Sequence, residues 1–357
     1  MLKFLNYVID EKYPQTLYLF SDENMDWLRE DPKFLNEWAS LMFQVFKQGN
    51  KINIIHTVTR NLDEMLIAIK GWMPFYFTGA IESYYYPKKR DGIFQRTLFI
   101  APKIVAIEST SVGDMVEDAP NILTYDNKAI QGFKKEYMNY LSLCKPLIQV
   151  YGANMKWQYY KNITEFESKV ADSIIKSNGL SILTMPESLI ESIVKRISNE
   201  NAENVINIYK SRVDYIKKNI ENNIYIEILS IPTIDQVLNG EVRVKLLSFT
   251  VGEDVFYSID EYKLHLENII NLLTSLDNYH LHLYEEKCSQ DYSFYIKEGI
   301  GMFMWSQSNP NVAIKVEENN IVAAFWDYIK FELNIDQIEV KNKIKTINRL
   351  KNIINEL

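Results

Sequence analysis

QRTLFIAPKIVAIEST, residues Gln95–Thr110, holds two apolar runs separated by Pro102-Lys103. RTLFIA and KIVAIES are apolar and β-branched, and the proline between them marks a turn, so the stretch predicts a β-hairpin. Upstream, TLYLF (Thr16–Phe20) reads as a strand, and Ser21 or Asp22 as the cap of a helix with acids in its first turn. Asp31-Pro32 opens another helix, whose Phe34, Leu35, Trp38, Leu41, Met42, Val45 and Phe46 share a face before Gly49 closes it. KINIIHTV (Lys51–Val58) is a buried strand, and Asn61-x-x-Glu64 a capping box for the helix carrying Leu62, Met65, Leu66 and Ile69. This alternation predicts a βαβ unit, so the hairpin joins a mixed sheet.

Further strands are expected within FYFTGAIESYYY (Phe75–Tyr86) and at NILTY (Asn121–Tyr125), which leads into a helix over Asn127–Leu143. The second half repeats the plan loosely. LSILTM (Leu180–Met185) predicts a strand, 187–222 a long helical region, IYIEIL (Ile224–Leu229) and VRVKLLSF (Val242–Phe249) strands, Ser258–Leu276 a helix, and YHLHLYEE (Tyr279–Glu286) a strand. Two more strands fall near Tyr292–Lys297 and Gly301–Trp305. PNILTYDNKAIQGFKKEYMNYL (Pro120–Leu141) parallels PNVAIKVEENNIVAAFWDYIKFEL (Pro310–Leu333): each is Pro-Asn, an apolar strand, an acidic turn and an amphipathic helix. That pairing suggests a duplication. Ile335–Leu357 predicts a last helix in which Val340, Ile344, Ile347, Ile354 and Leu357 lie near heptad spacing, open either to docking on the body or to pairing with another chain.

The 357 residues, 47% of them hydrophobic, suffice for a large core, and a net charge of −8 argues against broad nucleic-acid binding by this chain alone. No apolar run is long enough to span a membrane, and no charged-then-apolar leader is present, so a cytoplasmic protein is expected. Cys144 and Cys288 are expected to be free thiols. Signatures of nucleotide hydrolysis, dinucleotide binding, serine hydrolysis and structural zinc do not occur, and no cofactor or metal is expected.

The hairpin resembles the half-site of the phospholipase D superfamily. That resemblance implies H-x-K on one strand, an acidic-Gly turn and a Gly-Ser turn, with one histidine attacking phosphorus and the other protonating the leaving oxygen. Here Arg96 stands at the histidine position and Leu98 at the lysine position, Pro102-Lys103 replaces the acidic-Gly turn, and Glu108-Ser109-Thr110 stands where Gly-Ser would be. YIKEGIGMFMW (Tyr295–Trp305) in the second half holds no histidine. The expectation is a relative without catalytic residues, in which Arg96 could still bind an anion.

LYLFSDENMDWLRED, INIIHTVTRNLDEML, GAIESYYYPKKRDGIFQRTLFIAP, LSILTMPESL and NIVAAFWDYIKFEL resemble the large C-terminal region of clostridial and other Firmicute helix-turn-helix transcriptional regulators, over about Leu17–Leu333. The resemblance implies a regulatory or ligand-sensing body. DNA is then expected to be reached only through a helix-turn-helix module absent from this chain.

The expected fold is α/β: two phospholipase D-like halves, 1–148 and 149–334, each a mixed sheet flanked by helices, duplicated about a pseudo-twofold axis, plus a C-terminal helix, 335–357. The expected function is a non-enzymatic regulatory or sensor module binding a small, anionic ligand or a protein or peptide partner in a cleft between the halves. Candidate ligand-binding residues are His56, Thr57 and Arg60 beyond a strand's carboxyl end, Tyr84 and Tyr86 in the aromatic-basic YYYPKKR, Arg96, and Lys297 facing it from the second half. His280-x-His282 is too little for a metal site. Two alternatives stand beside this: an interaction protein, such as a homodimer, and a phosphodiesterase or nuclease with rearranged residues, which would need His56 or His282 at the cleft.

Overall fold

A computed structural model describes residues 1–11, 13–22, 31–57, 72–88, 93–113, 119–197, 202–244, 247, 254–284, 292–306, 312–332 and 340–357. The chain divides into two compact units, Met1–Val150 and Tyr151–Leu357.

The strands of the first unit are β1 (Thr16–Ser21), β2 (Lys51–His56), β3 (Ile81–Tyr85), β4 (Phe94–Ala101), β5 (Val105–Val112), β6 (Ile122–Thr124) and β7 (Lys145–Tyr151). Their order is β7-β3-β2-β1-β4-β5-β6, with β3, β2 and β1 parallel and every other pairing antiparallel. Four consecutive residues of β2, Ile52–Ile55, are buried, as expected of a strand covered on both faces. On one face Phe20, Ile55, Leu98, Ile100 and Ala106 pack against Ile130 and Tyr137. Those last two come from helix α3 (Asn127–Leu141), whose cap Asp126 accepts from Ala129 N–H at 2.8 Å. Two earlier helices, α1 (Leu2–Asp10) and α2 (Pro32–Lys47), belong to the same unit. The latter has Pro32 in its first turn and Asp31 as its cap.

The second unit has β8 (Ser173–Ser177), β9 (Tyr225–Ser230), β10 (Tyr279–Tyr284), β11 (Tyr292–Lys297), β12 (Gly301–Ser306) and β13 (Ala313–Val316). Their order is β10-β9-β8-β11-β12-β13, with the first three parallel and the rest antiparallel. Laid on β3-β2-β1-β4-β5-β6, this is the same plan twice. The registers agree: Tyr84, Ile55, Phe20, Leu98, Glu108 and Ile122 lie in one lateral row, and His282, Ile228, Lys176, Phe294, Met304 and Ile314 in its counterpart. Both hairpins turn through three residues, and the middle one, Lys103 (φ 69°) or Gly299 (φ 65°), is left-handed. The duplication is therefore present in the topology. The Pro-Asn dipeptides that suggested it do not coincide, because Ile122 corresponds to Ile314, which sets Pro120 against Val312.

The helices of this unit are α4 (Lys156–Ser168), α5 (Glu187–Arg196), α6 (Ala202–Ile220), α7 (Ile234–Leu238), α8 (Ile259–Ser275), α9 (Asn319–Glu332) and α10 (Val340–Glu356). Ser258 and Glu261 form a capping box on α8. Helix α10 docks on its own unit: Leu350 is fully buried in the core, and Lys343 Nζ donates to Leu276 O at 2.7 Å. Three expectations are corrected. LSILTM is not a strand: Ile182–Thr184 is a 3₁₀ turn capped by Ser181, and the strand is the shorter SIIKS before it. VRVKLLSF gives, among the described residues, only an isolated antiparallel bridge, Arg243 to Phe256. Phe75 lies in a buried aromatic group with Trp38 and Trp72, and the strand expected over Phe75–Tyr86 begins only at Ile81. The helix starts read at Asp22 and Asn61 fall outside the described residues.

Candidate functional site

Parallel strands finish on one edge, so the carboxyl ends of β1, β2 and β3 bring Ser21, His56 and Tyr85 level. Ligands of open α/β sheets gather beyond such ends. Pairing continues past Ser21, since Asp22 N–H donates to Arg96 O at 2.9 Å and Asp22 Oδ2 accepts from Arg96 N–H at 3.3 Å. Thr57 Oγ1 donates to Ser21 O at 3.1 Å and to Asp22 Oδ1 at 3.3 Å, while the Ser21 and Thr97 hydroxyls meet at 2.7 Å.

Arg96 is the centre of this edge. Its Nε and Nη2 each donate at 3.0 Å to the two oxygens of Glu136 on α3. Its Nη1 donates to Glu108 on β5 and, at 2.8 Å, to Thr110. Phe133 lies under the guanidinium, 5.8 Å from centroid to Cζ. Burial pulls the guanidinium pKa down, but the bonds and charges of Glu136 and Glu108 outweigh it and raise the pKa. Among the described residues the guanidinium meets two carboxylates, Glu136 and Glu108, while Asp22 accepts from the Arg96 backbone N–H. An incoming anion therefore meets Arg96 only by displacing a carboxylate.

The sequence-based candidates separate. Tyr86 stays on the Arg96 side, with its ring 5.6 Å from Tyr140, which in turn packs on Phe20. Tyr84 is half-buried on the same face, its hydroxyl 3.4 Å from Glu82 Oε2 and its pKa raised chiefly by burial. His56 points to the opposite face of β2, 2.5 Å from the Tyr76 hydroxyl and edge-on to Trp72. Burial lowers its pKa to about 4, so it is neutral near pH 7. Arg60 lies outside the described residues.

Lys297 belongs to the second unit. By register it matches Ala101, at the turn end of the hairpin, and Arg96 matches Tyr292. Its buried Nζ donates to the carbonyls of Glu167, at 2.9 Å, and Lys169, capping the C-terminal end of α4 with a cation. Burial lowers its pKa to about 8. His280 and His282 share a half-buried face, with pKa values lowered first by burial. Among the described residues no group of three or more His, Cys, Asp or Glu could hold a metal ion.

The sequence reading missed Asp22, Glu108, Thr110 and Glu136 as site residues. Glu108 and Thr110 alternate with Ser109 on β5, a period-two signal that places them on one face beside Arg96. Glu136 carried no such local signal.

No family model and no curated protein matches the chain. Among solved structures, polyphosphate kinase from Porphyromonas gingivalis is similar over 88% of this chain and 45% of its own length, at 10% identity and a TM-score of 0.28. This chain thus spans less than half the length of that kinase. The expectation of a chain without enzymatic activity is not retained: the similar solved structure is that of an enzyme. A likeness of this size says nothing about reaction or substrate. No helix among the described residues is long and apolar enough to cross a membrane.

Proposed function

We propose that this chain is a ligand-binding regulatory protein of the transcription-regulator type, whose small anionic ligand is received by Arg96. The observation that supports it is the Glu136 fork. A guanidinium with 22% side-chain exposure is held by a carboxylate with 49%. A ligand carboxylate or phosphate presents the same pair of oxygens in the same geometry. Exchange would remove Glu136 from β4 and loosen α3, giving the ligand a conformational output. Thr57 and Tyr86 flank the position and supply a hydroxyl and an aromatic edge. Output to DNA would pass through a helix-turn-helix module, as the resemblance to such regulators implies.

The test is thermal unfolding against nucleotides, sugar phosphates, small carboxylates and short peptides. A ligand binding only the folded state adds about 2.7 kcal/mol at a hundredfold excess over its Kd. The shift is expected to vanish in Arg96→Ala and to grow in Glu136→Gln, which weakens the competing carboxylate. A shift that survives Arg96→Ala refutes the reading.

A further inference from the structure

The sheet face that carries Arg96 continues for one more pair of residues. The register of β4 on β5 is regular from Ala101 to Phe94, so Arg96 lies opposite Thr110 and, two residues on, Phe94 lies opposite Val112 on the same side of the sheet. At a rise of about 3.4 Å per residue, that pair stands roughly 7 Å beyond Arg96 along the strands. The inner part of this face is covered, since Leu98, Ile100 and Ala106 pack against Ile130 and Tyr137 of α3. The outer part is not: Phe94 is 60% exposed and Val112 53%. Exposed apolar side chains scattered singly need no account. These two face each other across the hairpin, next in line to a guanidinium and to Thr110, which accepts from its Nη1 at 2.8 Å.

The charges around Arg96 select among anions. In the proposed exchange Glu136 leaves, but Glu108 stays on β5 and keeps its bond to Nη1. A second negative charge on the ligand would face Glu108 at close range, and like charges so near repel. The position therefore suits a single negative charge, carried on two oxygens as in the Glu136 fork. A carboxylate meets both conditions, and a phosphate dianion meets only the second.

We infer that the ligand of Arg96 is a small monocarboxylic acid with an apolar substituent, whose carboxylate replaces Glu136 and whose hydrocarbon part lies on Phe94 and Val112. This rests on the reading of Arg96 as a ligand site and adds the chemical class of the ligand.

The experiment is titration calorimetry of the full chain with acetate, hexanoate and hexyl phosphate at constant pH and ionic strength. Each methylene withdrawn from water is worth about fourfold in affinity, so hexanoate, four methylenes longer, is expected to bind about tenfold or more tightly than acetate even when partly covered. Hexyl phosphate should bind more weakly than hexanoate. Phe94→Ser and Val112→Thr, both at exposed positions, should each bring the ratio of hexanoate to acetate affinity toward unity. Equal affinities for acetate and hexanoate, both lost in Arg96→Ala, overturn this inference and leave the Arg96 site standing. A preference for hexanoate that persists in both Phe94→Ser and Val112→Thr overturns it as well, as does tighter binding of hexyl phosphate. If neither carboxylate binds, or binding survives Arg96→Ala, the reading of Arg96 falls and this inference falls with it.

Discussion

Glu136 and Arg96, 40 residues apart, meet as a two-oxygen fork, with both N–H···O distances at 3.0 Å. The pair is partly exposed, so its contribution to stability is small even though its geometry is good. Glu136→Gln is expected to cost about 1 kcal/mol or less, read from urea unfolding. A larger loss would mean that the fork is too costly to open and is not available for exchange.

A different outcome is expected for Glu167 and Arg212. Arg212 Nε and Nη2 donate to the two Glu167 oxygens at 2.6 and 2.7 Å, and both side chains are almost wholly buried. Breaking a buried pair leaves one uncompensated charge in the core, so Arg212→Met should cost about 3–5 kcal/mol. Replacing both, with Glu167→Met added, should recover most of that loss. Chemical unfolding of the single and double variants checks the comparison.

The pH dependence follows from two kinds of buried group with opposite signs. Glu227 is fully buried and accepts from Tyr279. Burial lifts its pKa to about 7 from an ordinary 4.5, against the lowering effect of hydrogen bonds from Tyr279 and Ser181. The folded state thus holds this proton more tightly, and the stability it contributes is present below pH 4.5 and lost as pH rises through about 7. His56 and His265, lowered by burial to about 4 and about 3, act the other way: their contribution is present above pH 6.5 and lost as pH falls toward those values. Glu227→Gln should flatten the fall in stability between pH 4.5 and 7 and leave the acid limb intact. A denaturation series across pH reads both limbs.

Lys103 and Gly299 occupy the same turn position with the same left-handed backbone. A non-glycine residue there carries a cost of roughly 1 kcal/mol. Lys103→Gly is expected to be neutral to stabilising, and Gly299→Ala destabilising by about 1 kcal/mol, although a Cβ at Gly299 has free space. Melting temperatures that move in the same direction for both variants would contradict this.

Leu350 anchors α10 in the second unit's core, whereas Ile344 on the same helix is 61% exposed. Leu350→Ala should cost about 2–5 kcal/mol, and Ile344→Ala under about 0.5 kcal/mol, by urea unfolding.

Local chemistry determined a good part of this fold. Asp31-Pro32 and Ser258-x-x-Glu261 start helices through backbone N–H groups within three residues, and the hairpin turns within three. Such interactions are complete inside a short window, so their residues can be read in order. Periodicity also placed β2, β9 and the hairpin strands, whose apolar runs are buried as expected. The same window misassigned LSILTM, since a short apolar run is equally at home in a buried turn. It passed over SIIKS, whose lysine disguises a strand buried along nearly its whole length. The site was decided by tertiary structure. Arg96 owes its state to Glu136 on a distant helix, and Lys297 owes its state to a carbonyl 130 residues away. Whether a cation is free to receive a ligand depends on which carboxylates the packed sheet and helix bring to it, and that proximity has no local signature in the chain.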